Sequence, residues 1–168
     1  MSLNDIPKQG AKPKGSKPWL MKVKASLIIA TGLVIILVIY KSFINTALIT
    51  AATNGNADTV SALLSIGASV NVIDEGNTVL MYAVDGGHSE AARVLVQRGA
   101  NVNTGDYLGY TPLMAAASNG DVALVKLLLE HGADVNAKDY RGSTASSQAI
   151  ENNHPEVATL LKRAGAKE

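Results

Sequence analysis

Three imidazoles, His88, His131 and His154, are the side chains best suited to acid–base or metal chemistry, and no cysteine accompanies them. The absence of thiols excludes disulfides, thiolate nucleophiles and Cys-type zinc sites. The stretch "DGGHSE" at 85–90 sets Asp85, His88 and Ser89 close together. A catalytic triad needs more than proximity: the base must bond the nucleophile, a third group must orient the base, and donors must await the oxyanion. Nothing in this stretch supplies them. No His–carboxylate spacing matches a zinc motif, and there is no glycine-rich phosphate loop. His88 and His154 follow turns, and His131 directly precedes Gly132, so all three read as structural punctuation. The expectation is a chain with no enzyme activity, catalytic residue, cofactor, metal or small-molecule substrate.

The elements that would hold any site divide by charge. Residues 1–41 carry seven Lys against one Asp, whereas residues 42–168 carry eight Lys and Arg against thirteen Asp and Glu. The two parts belong in different surroundings. A net acidic second part argues against nucleic acid, because phosphate recognition needs a basic surface. The basic part is expected to be a disordered tail over 1–18, rich in Lys, Pro, Gly and Ser with little to bury.

After the tail comes "WLMKVKASLIIATGLVIILVIYK". The sixteen uncharged residues between Lys24 and Lys41 make a helix of roughly 24 Å, somewhat short of the ~30 Å hydrocarbon core. Trp19 and Tyr40 as interfacial aromatics, with Lys22, Lys24 and Lys41 snorkelling, make up the difference. A transmembrane helix is expected within 19–44. Six lysines precede the span and one follows it, so the positive-inside rule puts the N-terminus in the cytoplasm and the rest outside, in the periplasm if the source is bacterial. Two alternatives stay open. The segment could be a signal peptide releasing a soluble exported protein, although "KSFINTA" lacks an A-x-A site. It could also drive a self-associating membrane scaffold, since Ser26-x-x-x-Ala30 is a small-xxx-small pattern.

The remaining chain repeats. Gly109, Thr111 and Gly132 recur 33 residues later as Gly142, Thr144 and Gly165, and 33 residues earlier as Gly76, Thr78 and Gly99. First halves read "TALITAATNG", "TVLMYAVDGG", "TPLMAAASNG" and the degenerate "TASSQAIENN"; second halves include "LLSIGASVN", "LVQRGANVN" and "LLEHGADVN". Four units are expected, over 45–73, 74–105, 106–138 and 139–168. In the third, Thr111 caps a helix that opens on Pro112, Gly120 breaks it, and Val122–Leu129 form a second helix ended by Gly132. Ser146, Ser147 and Gln148 mark the fourth unit as a terminal one whose outer face meets water. At the other end, Phe43 and Ile44 are expected to cover the first face.

The "G-x-TPL-x-x-AA-x-x-G" and "LL-x-x-GA-x-VN" signatures resemble the ankyrin repeat family. The resemblance implies an all-α solenoid over 45–168, each unit a helix–turn–helix with a β-hairpin-like loop. No unit keeps the His of the family's TPLH tetrapeptide, since Ile49, Met81, Met114 and Ser147 stand in its place. The resemblance also implies a protein–protein interaction module or scaffold that contacts its partner through fingertips and first helices. Carried over by position, the contact residues are Glu75, Asn77, Tyr107, Leu108, Tyr110, Tyr140, Arg141 and Ser143 on the fingers, with Ser118 and Asn119 on a helix. Tyr and Arg are common interface anchors; the competing role for Tyr107 and Tyr140 is packing against neighbouring fingers.

Overall fold

The computed structural model describes the backbone of residues 18–167 and the side chains of 29–167, so all of the expected tail except Pro18 lies outside the described residues. The chain divides between Ile39 and Tyr40 into two compact units. Helix α1 (Pro18–Thr53) opens on a proline and runs through the aliphatic segment, a proline being tolerated in a first turn. Its stretch Ile29–Thr53 is long and apolar enough to cross a membrane, with a mean hydropathy of 2.0.

Within the second unit the last turns of α1 take a different role. Ile44, Leu48, Ala51 and Ala52 recur at helical spacing and are buried in the core. Their apolar character is therefore accounted for by packing in the core. Phe43 departs from expectation. Ile44 is 3% exposed but Phe43 is 72% exposed, because adjacent helical residues differ by about 100° around the axis.

Helix pairs follow in register: α2 (Ala57–Ser65) beside the end of α1, then α3 (Val79–Asp85) with α4 (Ser89–Gln97), α5 (Pro112–Ser118) with α6 (Val122–Glu130), and α7 (Ala145–Glu151) with α8 (Pro155–Arg163). First helices pack on first helices, α5 lying between α3 and α7, and second helices on second helices, α6 lying between α4 and α8. One core of small aliphatic residues runs through the stack, including Leu80, Ala92, Leu113, Ala116, Leu128 and Leu161. Helices of seven and nine residues are too short to persist alone; burial against neighbours stabilises them. Thr111 Oγ1 accepts from Met114 N at 3.4 Å and Asp121 Oδ1 from Leu124 N at 2.9 Å, closing the N-termini of α5 and α6. Gly132, at φ +83°, ends α6 while Ala133 N donates back to Leu128 O.

A polar ladder joins consecutive loops. Asn71, Asn103 and Asn136 each accept from the backbone N–H of Asn101, Asp134 and Lys167, at 2.8, 2.8 and 2.9 Å. Asn103 and Asn136 also donate to the carbonyls of Gly132 and Gly165. The first unit has no loop before it, and α1 supplies the same contacts: Asn45 Oδ1 accepts from Ser69 N at 2.8 Å and Lys41 Nζ donates to Gly67 O.

The three fingers between units close differently. The shortest forms a two-stranded antiparallel pair, β1 (Ile73–Asp74) with β2 (Asn77–Thr78), turned by Glu75 at φ +48° and Gly76 at φ +85°. The other two are one residue longer and are closed by aspartates. Asp106 Oδ1 accepts from Leu108 N and Tyr110 N at 2.8 and 2.9 Å, and Asp139 Oδ1 from Arg141 N and Ser143 N at 2.9 and 2.7 Å.

Candidate protein-binding surface

The histidines are tied to the fold. His88 Nε2 lies 2.9 Å from Thr53 O and His154 Nε2 lies 3.0 Å from Ser118 O, each ring reaching the C-terminus of the preceding first helix. His131 Nδ1 lies 2.9 Å from Leu127 O within its own helix. In "DGGHSE", Ser89 Oγ donates to Asp121 Oδ2 on the next unit rather than to His88.

The fingers bring a surface together. Leu108, Tyr110, Tyr140, Arg141 and Ser143 line one open groove of about 580 Å³ with Asp106, Asp139, Gln148 and Glu151. Tyr140 is 82% exposed and Tyr107 69% exposed, yet each rests one edge on the preceding finger. Tyr107 Cβ sits 3.7 Å from the place where a side chain on Gly76 would begin, and Tyr140 Cδ1 sits 3.6 Å from that of Gly109. Tyr140 N also donates to Leu108 O at 2.9 Å. The tyrosines are thus anchored by packing and still present most of their surface.

Tyr110 sits deeper. Burial raises its phenol pKa above the ordinary value, Asp85, Asp139 and Asp106 push the same way, and a hydrogen bond with Ser118 pulls it down. The Asp85 carboxyl is raised as well, by desolvation first and by Asp106 second, although the residue as a whole reaches solvent. An acidic strip therefore runs beside the aromatic groove. Ser118 joins this site through Tyr110. Asn119 does not face it, because its Nδ2 donates to Val84 O at 2.8 Å on the preceding unit. Glu75 and Asn77 belong to the separate β1–β2 finger.

A family model of ankyrin repeats in three copies matches residues 27–106 and 103–167. The chain belongs to the ankyrin repeat family. As an ankyrin-repeat chain it is an interaction module whose partners are proteins. No match is found among curated proteins. Asp106, Asp139, Gln148 and Glu151 are groove residues that sequence reasoning passed over. The ankyrin period itself carried a signal for two of them, since Asp106 and Asp139 recur at the same interval as the glycines.

Proposed function

We propose that this chain is a membrane-anchored, non-catalytic ankyrin scaffold that holds a protein partner near the extracytoplasmic face of a membrane. A tail over 1–18 and a span within 19–44 precede four repeats, 45–73, 74–105, 106–138 and 139–168. The partner lies across the fingers of the last two repeats. The observation that carries this reading is the groove in which exposed Tyr140 and Leu108 flank half-buried Tyr110. Aromatic anchors in a mostly polar groove suit a protein side chain, with Tyr107 on the same finger as Leu108 and Tyr110, and Glu75 and Asn77 on the preceding finger, extending the contact. The acidic rim favours a partner that is apolar or basic at the contact.

Retention of the anchor is supported by what cleavage would remove. A cut at the end of "KSFINTA" severs Lys41, Ile44 and Asn45 from the rest of the first repeat, although Ile44 is buried in its core and the other two close its loop. The orientation rests on the lysine asymmetry. The test compares pull-downs by the wild-type chain and by Tyr107→Ala/Tyr140→Ala. Loss of partner recovery is expected, and unchanged recovery refutes the finger site.

A further inference from the structure

We infer that the outer face of the first repeat, formed by Phe43, Thr46, Ala47, Thr50 and Asn54, is occupied by the same face of a second copy of this chain. The inference rests on the anchored reading above but not on the finger site.

These residues recur at helical spacing on the side of α1 opposite buried Ile44, Leu48 and Ala52. They line an open groove of about 430 Å³. In the third repeat the counterparts of Ala47, Thr50 and Ala51 are Pro112, Ala115 and Ala116, all buried, on a helix that packs against α3. The asparagines that end the first helices of the last two repeats both reach back to the preceding repeat. Asn119 Nδ2 donates to Val84 O at 2.8 Å and Asn152 Nδ2 to Ser118 Oγ at 3.1 Å. Asn54 holds the equivalent place with no preceding repeat to bond among the described residues. Lys41 and Asn45 replace the missing repeat at the loop end only, so the stacking face of the helix stays open.

The face is also more apolar than its residue names suggest. Thr46 Oγ1 donates to Ser42 O at 3.1 Å and Thr50 Oγ1 to Thr46 O at 3.0 Å. The hydroxyls are satisfied within the helix, which turns the γ-methyls outward. Residues 42–57 carry no charge, so two copies meet without like-charge repulsion. The chain's own Lys-rich segment before Pro18 has no carboxylate to meet there. Two copies inserted in the same sense are related by rotation about the membrane normal, and a twofold closes with this one face on both sides. A stripe of twelve residues, 43–54, is only about 18 Å long, below what a soluble dimer of about 800 Å² per partner requires. Co-anchoring supplies the missing effective concentration, so the dimer forms in bilayers.

The chain has no cysteine, which permits a direct test with the full-length protein in phosphatidylcholine–phosphatidylglycerol vesicles. Thr50→Cys is expected to oxidise to a disulfide dimer about tenfold faster than Glu130→Cys, which lies on α6 and shares the anchor but not the apposed face. Adding Thr46→Lys should abolish this difference with the helical circular dichroism intact, while Ser26→Leu should leave it unchanged. Equal rates for Thr50→Cys and Glu130→Cys overturn the inference. So does protection of Thr50→Cys from an impermeant thiol reagent without crosslinking, which would mean that lipid covers the face. Sensitivity to Ser26→Leu but not to Thr46→Lys also overturns it, placing association in the span. A chain that fails to float with vesicles would refute the anchored reading itself, a result distinct from all of these.

Discussion

Gly120→Ala tests whether the His154 ring, rather than backbone conformation alone, fixes a glycine at the turn between α5 and α6. Gly120 has φ +70°, and a Cβ there would lie 2.5 Å from His154 Nδ1. Gly132 has φ +83° and would meet nothing within 4 Å. Both substitutions place Ala in the left-handed region, at roughly 1–2 kcal/mol. Only Gly120→Ala must also displace the imidazole and its contact with Ser118 O, 3.0 Å away, adding about 0.5–1.5 kcal/mol. The expected totals are roughly 1.5–3.5 kcal/mol for Gly120→Ala and 1–2 kcal/mol for Gly132→Ala.

Urea unfolding of the full chain in mild detergent, followed by far-ultraviolet circular dichroism, measures both, and His154→Ala completes the cycle. In that background Gly120→Ala should fall to the Gly132→Ala value, a coupling of about 1 kcal/mol. Equal destabilisation by the two glycine substitutions, or a Gly120→Ala cost that persists without the imidazole, refutes the reasoning. The same geometry recurs at Gly55, where a Cβ would lie 2.4 Å from His88 Nδ1. Two of the three histidines thus act as inter-repeat struts.

Two further substitutions probe the fingers. Glu75, at φ +48° in the two-residue turn before Gly76, should be better replaced by Asn, and Glu75→Asn is expected to raise stability by about 0.5–1 kcal/mol in the same urea assay. Asp85 has a folded-state pKa raised by desolvation and by Asp106. The folded state therefore holds the extra proton, and the stabilisation is complete below the unfolded carboxylate range and lost as pH rises through the folded value. Asp85→Asn should remove that decline, which begins in the ordinary carboxylate range and continues above it, and urea midpoints through that range check it; an unchanged slope would contradict the assignment.

The repeat was legible because the second and third units restate the same local chemistry, a threonine cap, a breaking glycine and a capping glycine at a 33-residue interval, and the first and last units each keep part of it. The hydrogen bonds that close fingers and cross units were less visible. Asp106 and Asp139 look like loop solubilisers until their carboxylates are seen closing turns. Lys41 and Asn45 lie on a helix yet perform what asparagines do from loops elsewhere, over separations of 26 and 24 residues. Phe43 and Ile44 have similar hydropathy, so only their angular placement on α1 separates a solvent-facing ring from a core side chain. Asn119 is polar and terminal, which suggested a partner contact, but its amide is committed to Val84 O.

One position shows how the stack distinguishes its interior from its ends. In the third repeat Met114 is fully buried, and its sulfur lies 3.5 Å from Thr111 N, a weak acceptor in a site where volume matters most. In the last repeat Ser147 replaces it; its Oγ accepts from Thr144 N at 2.9 Å while Ser147 N donates to Thr144 Oγ1 at 3.2 Å. The hydroxyl supplies a shorter hydrogen bond than the thioether and completes the capping box of α7. Ser146 likewise stands where the third repeat has buried Leu113. The C-terminal face sets Ser146 and Ser147 beside exposed Ile150, whereas the N-terminal face keeps Phe43, Ala47 and two threonines whose hydroxyls are bonded within the helix.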